Sequence, residues 1–226
     1  MGMIKFKSPA LPLPREDYDR QYFDQFIRVL TLYFNQLDSP TPLQNDYYVG
    51  GGWGLVIPHI SASDSTDQVA GGNNTPTVVE WNTLDSVFGW TLAAPGTATA
   101  QYDGVYKITF RLQFVNTSNA IHYATVWIKV NGVDVVNTAT IFTVPARKSA
   151  NPGEEGFLSA YSEDTFSMNA GDEVELYWAT DLAGNPTTPT DGVYMFHDDA
   201  KTDPPDPYDR PAIPSAIGSI TFVSST

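Results

Sequence analysis

The sequence predicts an all-β protein, a jelly-roll β-sandwich preceded by an extended arm and one amphipathic N-terminal α-helix. Three observations predict it. Apolar and polar residues alternate with period two in several stretches after residue 100, the pattern of a half-buried strand. Turn signals such as Asn131-Gly132 and Ala170-Gly171-Asp172 separate those stretches. Helical periodicity is confined to one segment near the N-terminus.

The elements follow in order. Residues 1–14 form an extended arm, because Pro9, Pro12 and Pro14 each fix φ and remove a backbone donor. Residues 15–39 form a helix. Phe23, Phe26, Ile27, Leu30, Tyr33, Phe34 and Leu37 recur at the i, i+3, i+4, i+7 spacing of one face. Glu16, Asp17 and Asp19 complement the helix dipole in the first turn, and Asp38-Ser39-Pro40 ends the helix. Burying that face is worth about 10–20 kcal/mol as an upper bound, so the helix is expected to pack on something. Phe23, Leu30 and Leu37 are seven apart and fit a three-helix seam. Docking on another protein or on the chain's own β domain satisfies the same face. Residues 40–54 read as a linker, with Pro40, Pro42 and a Gly-rich run from Gly50 to Gly54.

Residues 55–226 read as the jelly-roll domain. GLVIPHI, TVVEWNT and VFGWTL are short candidate strands. GVYKITFRLQFV puts Tyr106, Ile108, Phe110, Leu112 and Phe114 on one face and Lys107, Thr109, Arg111 and Gln113 on the other. HYATVWIKVNGVDV, TFSMNAGDEVELYWAT and the terminal SAIGSITFVSS continue the pattern. Eight to ten strands with turns between them suit a sandwich or jelly roll. Two loops, Ala146–Leu158 and Asp181–Pro214, interrupt the rhythm.

Composition narrows the function. With 226 residues and no cysteine, the chain has no disulfide or thiolate chemistry, which favours an intracellular or viral origin over a small secreted scaffold. No apolar run suits a signal peptide or a membrane span, and no membrane partner is expected. The net charge of −14 opposes nucleic-acid binding. It is uneven. Up to Arg28 five basic residues face four acidic ones, a balance of +1, leaving −15 for the rest.

Signals for catalysis are weak. The three histidines, His59, His122 and His197, are scattered, and no metal-ligand, nucleophile-elbow or phosphate-loop motif occurs. No enzyme activity and no cofactor is expected. Asp198, Asp199, Asp203 and Asp206, with Asp209, form an acidic candidate ligand loop that could attract Ca²⁺. Its spacing is not that of an EF-hand, and the reading adopted is a solvated loop. Asp64 and Asp67 are expected to bond turn amides. Tyr47, Tyr48, Trp53, Trp90 and Tyr161 could stack on sugars. As a group they are read as core or interface.

DGVYKITFRLQF, HYATVWIKVNGVDV, NAGDEVELYW and SAIGSITFV together resemble the C1q/TNF-like jelly-roll superfamily. Gly104, Tyr106, Asn131, Gly132, Gly171, Asp172, Val174 and Leu176 stand at matching positions, and the resemblance spans Gln101–Val223. The leader SPALPLP…YFNQLDSPTP, the segment IPHISASDSTDQ and the string PAIPSAI resemble structural proteins of tailed bacteriophages. No collagen-like or secretory region accompanies the domain, which favours the phage resemblance over the secreted one. The resemblance implies a homotrimer on the virion, assembled in the host cytoplasm. Its partner would be the major capsid protein or another virion protein, and its role capsid decoration (cement) or head spike. The alternative is a tail-fibre or spike module that grips a host receptor or glycan through its loops.

Overall fold

The computed structural model describes residues 23–31, 57–149, 154–187, 191–201 and 209–224. The chain divides into two compact units, Met1–Val56 and Ile57–Thr226. In the first, residues 23–31 form a helix, α1. The predicted helix residues on either side of it, the arm and the linker lie outside the described residues.

The second unit is an antiparallel β-sandwich. One sheet orders its strands as β10 (Gly156–Met168), β6 (Gly104–Asn116), β13 (Ala216–Ser224), β1 (His59–Asp64) and β3 (Thr83–Phe88). The short β12 (Val193–Met195) pairs with the far end of β6. The other sheet orders β4 (Trp90–Ala93), β5 (Thr97–Ala100), β11 (Glu173–Thr180), β7 (His122–Val130) and β8 (Val133–Asp134). In that sheet β2 (Thr77–Val78) pairs with β11 and β9 (Thr140–Val144) with β7. Consecutive strands repeatedly change sheet, and β6 and β11 sit between strands distant in sequence. These crossovers make the sandwich a jelly roll.

The alternation read from the sequence is what fills the interior. Tyr106, Ile108, Phe110, Leu112 and Phe114 of β6 are buried, and Ala124, Val126 and Ile128 of β7 face them together with Val174, Leu176 and Trp178 of β11. Aromatic pairs bridge the sheets. Trp90 meets Tyr106 edge-on at 5.0 Å, and Phe114 meets Trp178 at 5.6 Å, the offset arrangements that ring quadrupoles favour.

Several element boundaries depart from expectation. The first strand among the described residues is His59–Asp64, which shares His59 and Ile60 with the GLVIPHI run, whose Gly54–Val56 lie outside the described residues. There the inward residues are Ile60, Ala62 and the buried Asp64, and the outward ones, His59, Ser61 and Ser63, are polar. TVVEWNT supplies only the two-residue β2 before β3 begins at Thr83. VFGWTL is cut at Gly89 (φ +70°), which sends β3 and β4 into different sheets. The loop drawn as Ala146–Leu158 is shorter, because β10 starts at Gly156 and pairs with β6 along its whole length. The Asp181–Pro214 loop contains β12, and bridges join Asp198 to Ile213 and Lys201 to Arg210. The hairpin at Asn131-Gly132 is as predicted. Both residues have positive φ, 51° and 74°, the conformation of a tight primed turn.

Candidate interaction surfaces

On α1 the residues read as an apolar face are Phe23, Phe26, Ile27 and Leu30. Phe23 and Ile27 are exposed, and Phe26 and Leu30 half-buried. Tyr33, Phe34 and Leu37 lie outside the described residues.

The acidic loop resolves into separate roles. The Asp198 carboxylate takes Lys201 Nζ at 3.1 Å and the Arg210 guanidinium. Burial pushes its pKa up, but these two cations outweigh burial and hold it below the ordinary carboxylate range. Asp199 is exposed and touches His197 Nε2 at 3.2 Å. His197 is clamped on its other sides. Its Nδ1 lies 2.9 Å from the Ile213 carbonyl, and its backbone N–H donates to Asp67 at 2.7 Å. Asp203 and Asp206 lie outside the described residues. Among the described residues no three His, Cys, Asp or Glu side chains group as a metal would require. Asp64 bonds its own turn as expected, accepting from Thr66 N–H at 2.8 Å and Thr66 Oγ1 at 2.6 Å.

The outer face of the β10-to-β3 sheet is polar. Thr109 and Ser219 hydroxyls meet at 2.7 Å, His59 Nε2 and Ser86 Oγ at 2.8 Å, and Lys107 and Glu163 at 3.7 Å. Tyr161 donates to Glu163 at 3.0 Å. At one border of this face runs β10, an edge strand of 13 residues. It carries Tyr161, 58% exposed, and Phe157, 49% exposed.

The outer face of the other sheet is aromatic. Trp127 and Tyr177 rings lie 6.0 Å apart at 32°, and Lys129 Nζ sits 4.5 Å from the Tyr177 centroid. Trp127 Nε1–H donates to Asp134 at 2.7 Å. Asp181 accepts from the Tyr123 N–H at 2.8 Å and lies 3.0 Å from His122 Nδ1. Burial raises the Asp181 pKa, but those hydrogen bonds and the His122 charge prevail and lower it overall. Sequence reading passed over this cluster. The signal was present in YATVWIK, whose alternation puts Tyr123, Thr125, Trp127 and Lys129 on one face. Of the aromatics it did select, Trp90 is core and Tyr161 exposed, while Tyr47, Tyr48 and Trp53 lie outside the described residues.

Among the described residues the histidines have separate partners. His59 reaches Ser86, but its Nδ1 faces the Ile57 carbonyl at 2.7 Å rather than a carboxylate. His122 and His197 contact carboxylates, and neither shows a serine hydroxyl among its hydrogen-bond partners in the described residues.

No protein-family model matches the sequence. No curated protein matches it either. Among solved structures the chain is similar to the Eiger TNF of S. frugiperda, with 13% identity over 75% of this chain and 95% of that one, at a TM-score of 0.44. It is also similar to the globular domain of zebrafish complement 1qA, with 13% identity over 76% of this chain and 100% of that one, at a TM-score of 0.44. The likeness is one of fold alone. Nothing about activity or partners follows from it.

Proposed function

We propose that the chain is a non-enzymatic structural protein of a virion, working as a homotrimer. Its jelly roll assembles about a threefold axis, and its N-terminal arm and helix attach it to the capsid as a decoration (cement) or head-spike protein. The observation that supports the assembly is β10. A long edge strand with exposed aromatics is a liability in a lone molecule, since its free N–H and C=O groups invite pairing. It borders a face on which the Thr109 and Ser219 hydroxyls bond each other beside the Lys107–Glu163 pair, and on which a neighbouring copy can lie. The attachment reading rests on the apolar spacing of the helix and on the charge contrast between a near-neutral leader and an acidic body. With −14 net charge the partner is protein, not nucleic acid.

Solution mass by light scattering tests the assembly: three times the 24.8 kDa chain mass is expected, and a monomer at micromolar concentration overturns it. Labelling intact particles with an antibody to this chain tests the location. Copies spread over the shell are expected. Label confined to the tail tip favours the receptor-binding alternative, and unlabelled particles overturn the virion reading.

A further inference from the structure

β7 and β11 pair in register, with Thr125 opposite Ala179 and Trp127 opposite Tyr177. Asp181 continues the row opposite Tyr123, to whose carbonyl its N–H donates at 3.3 Å. The outward side chains therefore read large, small, large along both strands: Tyr123, Thr125, Trp127 on one and Asp181, Ala179, Tyr177 on the other. The small pair floors a trough across the strands, and the walls stand four residues apart, about 13 Å along a strand. Of this trough, an open pocket of about 350 Å³ is lined by Tyr123, Thr125, Ala179 and Asp181 with their neighbours, while Trp127 and Tyr177 stand beyond its lining. Ile141 of β9, opposite Thr125, forms one end. Asn74 forms the other, anchored by its N–H to the Thr180 carbonyl at 2.7 Å.

The Trp127–Tyr177 wall is set in advance. The hydrogen bond to Asp134 fixes the Trp127 rotamer, and Lys129 packs over Tyr177. Tyr123 and Ile141 are nonetheless 48% and 68% exposed, an apolar outlay that the sandwich core does not use. Asp181 is held at its position by two donors, and a carboxylate has further lone pairs to offer.

We propose that this trough binds a neutral saccharide, whose C–H face lies against Tyr123 and Ile141 while its hydroxyls donate to Asp181. The electrostatics choose this occupant. Asp181, Asp134 and Glu175 supply acceptors on this face, while the Lys129 ammonium is already against Asp134 and the His122 ring against Asp181. An anionic ligand would meet these carboxylates, and the Lys129 ammonium on this face is already taken by one of them. A polyol brings the donors that the carboxylates lack, and an aromatic wall is the surface that the apolar side of a sugar ring covers.

The test is binding of the full chain to an array carrying neutral and anionic oligosaccharides and a Lys-rich peptide. Retention on neutral oligosaccharides is expected. Tyr123→Ala should weaken it about tenfold. Thr125→Trp, which fills the floor, should abolish it, with melting temperature checked for both variants. Ile141→Asp, at an exposed position, should weaken binding if Thr125→Trp fails to fold. Three outcomes overturn the proposal: no neutral oligosaccharide retained, retention unchanged in Tyr123→Ala and Ile141→Asp, or retention of the anionic sugars or the peptide alone.

Discussion

Trp81 lies over Gly218 so closely that a Cβ added to the glycine would fall 2.7 Å from the indole Cη2. The ring lines a small cavity of about 50 Å³ between the sheets, together with Ile60, Ala62, Ala98 and Ile220 among others. Gly218→Ala is therefore expected to push the indole outward and destabilise the fold by about 1–3 kcal/mol. Trp81→Ala removes the clashing ring, so the double variant should cost less than the sum of the two single changes. A denaturant-unfolding double-mutant cycle checks this. Additive costs would show that ring and glycine are not coupled.

Asp172 ties two turns together. It accepts from the Asn131 side chain at 2.8 Å and from the Asn169 N–H at 2.7 Å. The Asn131 hydrogen bond, then the Asn169 N–H, hold its carboxyl below the ordinary 3.8 despite some desolvation. A carboxyl with a depressed folded pKa stabilises the fold above its unfolded pKa and loses that contribution as pH falls through the folded value. Stability should therefore decline below about pH 4. Asp172→Asn should flatten that part of the profile relative to the parent, as followed by chemical denaturation between neutral pH and pH 2.

Gly132 has φ +74° and open space around the position of a Cβ. The cost of Gly132→Ala is then conformational alone, about 1 kcal/mol. Gly132→Asn, a residue that tolerates the left-handed region, should cost less. Thermal melts of the two variants rank them, and equal costs would argue against backbone strain as the cause.

Tyr161→Asp should convert the proposed trimer to monomers while moving intrinsic stability by less than about 0.5 kcal/mol, because the ring is exposed. Sedimentation velocity reads the assembly and urea unfolding the stability. An unchanged trimer would remove β10 from the interface.

Much of the sandwich is legible in the sequence where one face of a strand is buried and the other wet. β6, β7 and β11 announce themselves by alternation, since every second side chain enters the core. The signal fades where that contrast fades. In β10 aromatics face outward at Phe157 and Tyr161 while several inward residues are polar, among them Ser162 and Asp164, so its first residues read as loop and its middle carries no alternation. β9 and β12 are short and take their pairing from long-range partners that no local pattern encodes. The surface sites divide in the same way. The helix face is visible in its spacing. The trough is not, because its walls come from strands some fifty residues apart and only registry brings Ala179 opposite Thr125. The acidic loop looks uniform in sequence, yet Asp198 is consumed by Lys201 and Arg210 while Asp199 stays in water.

The placement of β6 also dictates the order in which the molecule can be made. One flank of this strand waits for β10, and the other for β12 and β13 at residues 193–195 and 216–224. A ribosome delivering the chain from its N-terminus exposes the apolar side of β6 long before either neighbour emerges. The first sheet cannot close until the final strand of the domain is released. Such late, non-local closure belongs to the slow end of single-domain folding, and it makes the nascent β6 the segment most in need of chaperone cover.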